Sequence, residues 1–167
     1  MTILEKTNTS WQSNPKVKRL VKLLGSCFYI GYAGKFPSTL VSLPGILLFF
    51  LTKDLSLWIQ GLTLVIFIMI AIGIVQLMEE MDDKSDPVEI VIDETIGMWV
   101  ALFALYEPTF TIILVAFLLY RALDQLKPFP ISIFQTIKGG KGVVADDIAT
   151  GMVVNIIIRL LILKGVF

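Results

Sequence analysis

The sequence predicts an all-α fold: a polytopic membrane helical bundle with about five membrane helices and a site on its cytoplasmic side. Of its 167 residues, 56% are hydrophobic and 17% are charged. The mean hydropathy of +0.82 exceeds that of an average soluble domain. The charged residues gather where apolar runs end. We expect a polar N-terminal tail over residues 1–15 and a single membrane-embedded domain over residues 16–167.

Five apolar runs are predicted to form the membrane helices. A hydrocarbon core about 30 Å thick requires roughly 20 apolar residues in a helix, and residues 55–78 meet this requirement without one charged side chain. The other four predicted runs are residues 40–51, 88–106, 109–120 and 148–163. We expect runs 40–51 and 55–78 to pair as a tight hairpin. Residues 20–32 are predicted to form a further helix, partly buried or interfacial.

The basic residues predict the orientation of the bundle. With a cytoplasmic N-terminus, eleven of the fourteen Lys and Arg residues lie on the cytoplasmic side. Lys53 and Lys164 then lie outside, and Arg159 lies in or near the last helix. Every candidate acidic residue falls on the cytoplasmic side. The zero formal net charge gives no indication of a nucleic-acid partner.

Acidic residues fall into two groups along the chain. Residues 79–83 hold a charge run that is typical of a solvated linker. Asp93 and Glu94 differ, because an apolar helix continues directly after them. Gly97 shares a helical face with Asp93, so another helix or a ligand is expected to approach that carboxylate. The alternative is an acid pair that only favours a helix N-terminus.

Two later helix ends also carry acids. Arg121 and Asp124 are three residues apart, which alone is compatible with a local ion pair, and Asp146 with Asp147 is compatible with a helix cap. A polar stripe spaced by four residues nevertheless follows along the last helix and is expected to face other helices. Its members are Asp147, Gly151, Asn155 and Arg159.

Carboxylates that converge from separate helices suit Mg²⁺, which prefers oxygen ligands. Arg121 and Lys127 would supply positive charge for a phosphate group. The Gly139-Gly140-Lys141-Gly142 stretch could offer backbone N–H groups to an anion, although glycine runs are more often flexible turns. The chain has no histidine, which excludes serine-histidine triads and histidine zinc sites. Carboxylate and metal chemistry remains.

Several motifs together resemble the phosphatidylglycerophosphatase A family, in order from about Gly31 to Gly151. The motifs are Asp86-Pro87, Val91-Ile92-Asp93-Glu94, Gly97-Met98-Trp99, Arg121 to Asp124, Lys127-Pro128-Phe129-Pro130, Gly139-Gly140, Gly142 and Asp146-Asp147 to Gly151. The resemblance implies a Mg²⁺-dependent lipid phosphatase that converts phosphatidylglycerophosphate in the bilayer into phosphatidylglycerol and phosphate. It also implies an all-helical protein of the bacterial inner membrane.

The roles of the site residues are predicted on this basis. Asp93, Glu94, Asp146 and Asp147 are expected to hold Mg²⁺, with Asp124 as a further catalytic acid. Substrate binding is assigned to Arg121, Lys127, Thr39, Ser42, Gly139 and Gly140. Direct attack by water and an aspartyl-phosphate intermediate on Asp124 or Asp147 both remain open.

The chain departs from the family pattern in two places. One proline and two glycines of the pattern are replaced between Gly31 and Ser42, and Gln135 stands where an Asp is frequent. Two other functions remain as alternatives: an ion or solute transporter that uses the intramembrane acids, and another Mg²⁺-dependent enzyme of phospholipid headgroups.

Overall fold

The computed structural model describes residues 14–32 and 37–167, without the side chains of residues 37–39 and 41. In these residues all regular structure is helical, which confirms the predicted all-α class. The α-helices are α1 (Pro15–Gly25), α2 (Pro37–Thr52), α3 (Leu57–Asp82), α4 (Ile92–Leu102), α5 (Phe110–Leu126) and α6 (Gly140–Leu163). Two short 3₁₀ helices cover Ile30–Tyr32 and Ile131–Thr136.

Helix α4 lies at the centre of the fold and packs against α2, α3, α5 and α6. Nine of its eleven residues are buried. Glycines allow its neighbours to approach closely: a Cβ at Gly151 would collide with the carbonyl oxygen of Gly97, and a Cβ at Gly45 would collide with that of Thr95. In the described residues α2 packs against α4 and makes hardly any contact with α3. The predicted hairpin of runs 40–51 and 55–78 is therefore wrong.

Helix α4 is shorter than the predicted run 88–106 because side chains of α6 bind the backbone where it ends. The Asn155 amide donates to the carbonyl oxygens of Ala101 at 3.0 Å and Phe103 at 2.9 Å. Arg159 donates to the carbonyl oxygens of Phe103 at 3.1 Å and Ala104 at 2.8 Å. These donors satisfy acceptors that the end of a helix leaves without partners. The polar stripe of α6 therefore faces another helix, as predicted.

Helix α3 is the one helix in the described residues that is long and apolar enough to cross a membrane. Only 28% of its most apolar stretch is buried inside the protein, whereas a core helix of a soluble protein would be mostly buried. Ser42–Thr52 forms a shorter apolar helix. The number of about five membrane helices thus stays a prediction beyond α3.

The N-terminal part of the described chain corrects the predicted helix over residues 20–32. Helix α1 ends at Gly25, and Cys27, Phe28 and Tyr29 have φ angles of 45°, 59° and 66°. Positive φ in three successive residues with side chains is incompatible with a continuing right-handed helix. Lys22 instead ties α1 to the end of α3 through Asp82, at 2.9 Å.

Candidate active site

Helices α4, α5 and α6 bring the predicted acids and cations together in one cluster, called here the acid cluster. Helix α4 contributes Asp93 and Glu94 in its first turn. The end of α5 contributes Arg121, Asp124 and its C-terminal cap Lys127. Helix α6 begins at Gly140 rather than at its acids, so Asp146 and Asp147 lie about two turns into the helix. Four of these five acids are buried, and Glu94 is partly buried.

Arg121 connects α4 and α5 within the acid cluster. One of its terminal nitrogens donates to Glu94 at 2.8 Å and to Asp124 at 2.9 Å. The predicted local pair with Asp124 is therefore confirmed, and the contact with Glu94 extends it to a second helix. Because the arginine is 8% exposed, both contacts are sheltered from water and weakly screened by salt.

Lys127 connects α5 and α6. Its ammonium group donates to Asp146 and lies 4.0 Å from Asp124. Burial alone would lower the pKa of Lys127, but the hydrogen bond to Asp146 and the nearby carboxylates raise that pKa above its usual value. Lys127 thus keeps its positive charge across the physiological pH range.

Tyr120 holds the carboxylate of Asp147. Its hydroxyl donates to an oxygen of Asp147 at 3.1 Å, and the tyrosine is completely buried. The absent side chain of Gly97 makes room for this contact, because a Cβ there would collide with the Tyr120 hydroxyl. Neighbouring helices therefore approach closely at Gly97, whereas the predicted approach to the Asp93 carboxylate stays a prediction. Tyr120 itself was not predicted, since a tyrosine in an apolar run carries no signal that separates it from ordinary packing.

The loop after α3 forms a further wall beside the acid cluster. Glu79 was predicted to belong to a solvated linker, but it is buried and accepts a hydrogen bond from the backbone N–H of Asp86 at 2.9 Å. Desolvation raises the pKa of the Asp86 carboxyl, which Lys127 opposes and Asp146 reinforces. Asp86 was missed as a site residue, although its place in the Asp86-Pro87 motif was a usable signal.

The other residues predicted to bind substrate are Thr39, Ser42, Gly139 and Gly140. The backbone N–H of Gly140 donates to the side-chain oxygen of Gln76 at 3.0 Å, so the protein itself engages this amide. Gly139 has a φ of 80°, a conformation that favours glycine. Ser42 is buried on α2. The side chain of Thr39 lies outside the described residues.

The acids predicted to hold Mg²⁺ have protein partners in this structure. In the part of the chain that the structure describes, no group of three acidic or cysteine side chains is arranged to hold a metal ion. Asp146 binds Lys127, Glu94 binds Arg121 and Asp147 accepts from Tyr120. Their donor atoms are all carboxylate oxygens, which fit the ligand preference of Mg²⁺.

The fold and the acid cluster together define a class. Buried cations suit a phosphate group, and buried carboxylates suit proton transfer or a hard metal ion. Helix α3 has the length and apolar composition of a membrane-spanning helix, which agrees with a membrane-associated protein. The class is a helical, membrane-associated enzyme that acts on phosphate groups.

Comparison with known proteins identifies the family within that class. The family model described as Phosphatidylglycerophosphatase A matches residues 23–162. Phosphatidylglycerophosphatase A from Escherichia coli (strain K12) is 34% identical over 156 residues, which are 92% of this chain and 90% of that protein. The chain therefore belongs to the phosphatidylglycerophosphatase A family, which confirms the resemblance found in its motifs.

Two other relatives extend the comparison. A Bacteroides thetaiotaomicron protein, provisionally named a phosphatidylinositol-3-phosphatase, is 31% identical over 78% of this chain and 86% of its own length. Phosphatidylglycerophosphatase A from Haemophilus influenzae is 37% identical over 41% of this chain and 43% of its own. No solved structure matches the chain significantly.

Proposed function

We propose that this protein hydrolyses the terminal phosphate monoester of phosphatidylglycerophosphate, releasing phosphatidylglycerol and phosphate. The observation that carries the proposal is the acid cluster, in which Arg121 and Lys127 lie among carboxylates from α4, α5 and α6. The residues of this cluster are those that the sequence shares with the family motifs. Family membership supports the same activity.

Arg121 and Lys127 are the proposed phosphate-binding residues. The guanidinium group presents a planar set of donors that matches phosphate oxygens, and Lys127 adds a second positive charge nearby. Both cations donate hydrogen bonds to carboxylates in this structure. An incoming phosphate would replace these carboxylates as the hydrogen-bond acceptor. Held in place, they would stabilise the negative charge that develops on the phosphoryl oxygens during transfer.

Asp147 is the proposed acceptor of the proton from the attacking water. It is buried, and the hydroxyl of Tyr120 fixes its orientation. The competing route is attack by Asp147 or Asp124 on phosphorus, which would give an aspartyl phosphate. Acid quenching of a reaction with substrate radiolabelled in its terminal phosphate separates the two routes, because only the second transfers label to the protein.

Asp93, Glu94, Asp146 and Asp147 are the residues proposed to hold Mg²⁺. Glu94 binds Arg121 and Asp146 binds Lys127 in this structure, so an incoming ion would replace these cations as the partner of the two carboxylates. When bound, the ion would offset the negative charge of the phosphoryl group in transfer. The proposal predicts that EDTA abolishes turnover and that added Mg²⁺ restores it.

We also propose that the chain is a multi-pass protein of the bacterial inner membrane, with the acid cluster facing the cytoplasm. The distribution of Lys and Arg supports this orientation. The exposed apolar surface of α3 supports membrane insertion. The acyl chains of the substrate would then stay in the bilayer while the headgroup reaches the acid cluster.

The decisive experiment measures phosphate release by the purified protein in detergent micelles that contain phosphatidylglycerophosphate. We expect Asp93→Asn and Asp147→Asn to lower kcat by at least roughly 100-fold. The matched control is Asp54→Asn, a highly exposed aspartate that pairs with Lys53. Undiminished turnover in both cluster variants would refute the assigned site.

The Bacteroides thetaiotaomicron relative supports a second candidate substrate, a phosphoinositide. The same assay with phosphatidylinositol 3-phosphate distinguishes the two lipids by their kcat/KM. Faster hydrolysis of the inositol lipid would replace the proposed substrate and leave the acid cluster as the active site. Absence of phosphate release from any lipid would favour the transporter alternative.

A further inference from the structure

A cavity of about 230 Å³ opens beside the acid cluster. It lies between the loop that follows α3 and the start of α6. Its walls include Ser85, Asp86, Gln135, Ile137, Gly139 and Asp146. Its volume is several times the roughly 30 Å³ that a water molecule occupies in the liquid, so it has room for a small organic group.

The cavity shares one wall with the acid cluster. Asp146 lines the cavity and also accepts a hydrogen bond from Lys127. Lys127 in turn lies 4.0 Å from Asp124. A phosphate held by Lys127 would therefore lie at the mouth of the cavity, and the group esterified to that phosphate could extend into it.

Glu79 fixes the opposite wall. Its carboxylate accepts from the backbone N–H of Asp86 at 2.9 Å and from the hydroxyl of Ser85 at 3.3 Å. Glu79 is itself buried. These partly buried hydrogen bonds hold the loop against the end of α3, and a recognition surface requires such support.

The polar groups of these walls select a neutral hydroxylated ligand. The carboxylates of Asp86 and Asp146 accept hydrogen bonds but repel anions, and the amide of Gln135 both donates and accepts. A hydroxyl group can donate to a carboxylate and accept from an amide. A phosphate inside the cavity would meet these two acids and no cation in the lining, so the phosphodiester that joins the headgroup to diacylglycerol would lie outside the cavity.

We infer that this cavity binds the glycerol part of the lipid headgroup, with Asp86 and Gln135 as the residues that determine specificity. The inference rests on the proposed function and deepens it. The terminal phosphate is held at Lys127, and the free hydroxyl of the adjoining glycerol is bound by the cavity walls. In phosphatidic acid the phosphate is attached directly to diacylglycerol, so that lipid lacks the group that the cavity recognises.

The test compares kcat/KM for phosphatidylglycerophosphate and for phosphatidic acid in detergent micelles. For Gln135→Ala and Asp86→Asn, we expect the value for phosphatidylglycerophosphate relative to that for phosphatidic acid to fall roughly tenfold. Gln135→Ala removes a hydrogen bond to the headgroup, and Asp86→Asn weakens one because its acceptor is no longer charged. The matched control is Gln125→Ala, which changes an exposed glutamine on α5 that does not line the cavity. Its ratio should equal that of the wild type.

Two outcomes bear on different conclusions. If both cavity variants kept the wild-type ratio of the two kcat/KM values, whether or not both values fell, the inference would be overturned. The proposed lipid phosphatase activity would be unaffected. If the wild type released no phosphate from phosphatidylglycerophosphate, the proposed function itself would fail. Asp86→Asn preserves side-chain size and Gln135 is exposed, so both variants are expected to fold.

Discussion

Tyr120 is a buried residue whose side-chain hydroxyl donates a hydrogen bond to the acid cluster. Its ring packs in the interior, and its hydroxyl reaches Asp147 across the gap that Gly97 leaves between α4 and α5. A buried carboxylate without a hydrogen bond is costly. Tyr120 therefore both stabilises Asp147 and fixes the orientation of its carboxylate.

Replacing Tyr120 with Phe should separate these two effects. The ring remains and the donor is lost, so we expect kcat to fall roughly tenfold while KM stays close to the wild-type value. Kinetics on phosphatidylglycerophosphate and a thermal unfolding curve in detergent give the two readouts. Tyr106→Phe is the control, because Tyr106 is 90% exposed.

A purely structural role for Tyr120 would give a different pattern. The melting temperature would fall, and kcat of the folded fraction would remain unchanged. A rise in KM without a change in kcat would instead mean that the hydroxyl contacts the substrate.

At the residue level, charge in apolar segments predicted which residues lie together in the acid cluster. An acid or arginine inside an apolar chain costs free energy, so its presence indicates function or pairing. Asp93, Arg121 and Asp147 were found in this way. The same logic fails for Tyr120, whose ring is apolar, and for Glu79, whose burial depends on how the following loop folds back.

Among the elements, α4 depends most on its neighbours. It is short and buried. It ends where the side chains of Asn155 and Arg159 in α6 donate hydrogen bonds to the backbone carbonyl oxygens. These contacts account for two members of the polar stripe as structural residues. The hydrogen bonds to α4 therefore explain these polar residues without a function in ion transport.

Asn155→Ala should destabilise the protein without changing the active site. Its amide donates to the carbonyl oxygens of Ala101 and Phe103. Phe103 keeps the donor from Arg159, but the partly buried carbonyl of Ala101 loses its donor, which costs about 1–3 kcal/mol. The measurement is thermal unfolding in detergent, with kcat of the folded protein as the second readout. Met152→Ala on the same helix is the control, because Met152 is exposed.

An unchanged melting temperature in Asn155→Ala would contradict this assignment. Loss of kcat with full stability would point instead to a role of the polar stripe in catalysis.

Sequence periodicity predicted where apolar helices lie but not where α4 ends. Hydropathy treats residues 88–106 as one run, because the signal that stops α4 at Leu102 lies more than 50 residues away in α6. The start of α6 was missed because the local sequence gave a misleading signal. Gly139 and Gly140 indicate a flexible turn, yet Gly140 packs against the backbone of α3 at Gln76 and begins a helix there.

At the scale of the whole molecule, the proposed orientation places the loop before α3 outside and the loop after α3 inside. Asp54 and Lys84 are exposed residues of these two loops. They lie at opposite ends of α3. The chain has a single cysteine, Cys27, which is buried.

Cysteine labelling tests this orientation directly. In a Cys27→Ser background, we expect Asp54→Cys to react with a membrane-impermeant maleimide in intact bacterial spheroplasts. Lys84→Cys should react only after the membrane is permeabilised. The protein with only Cys27 is the control for labelling of a buried thiol, and the reverse accessibility of the two sites would place the acid cluster outside the cell.

The ion pairs of the acid cluster also bear on how a phosphatase lets its product go. In the resting protein, three carboxylates already occupy the two cations. Any phosphate must displace these internal partners on entry, and the same carboxylates are in place to reclaim the cations afterwards. Unlike the lipid substrate, free phosphate is not anchored in the bilayer, so it competes less well with the carboxylates for the two cations. The resting contacts therefore act against product inhibition.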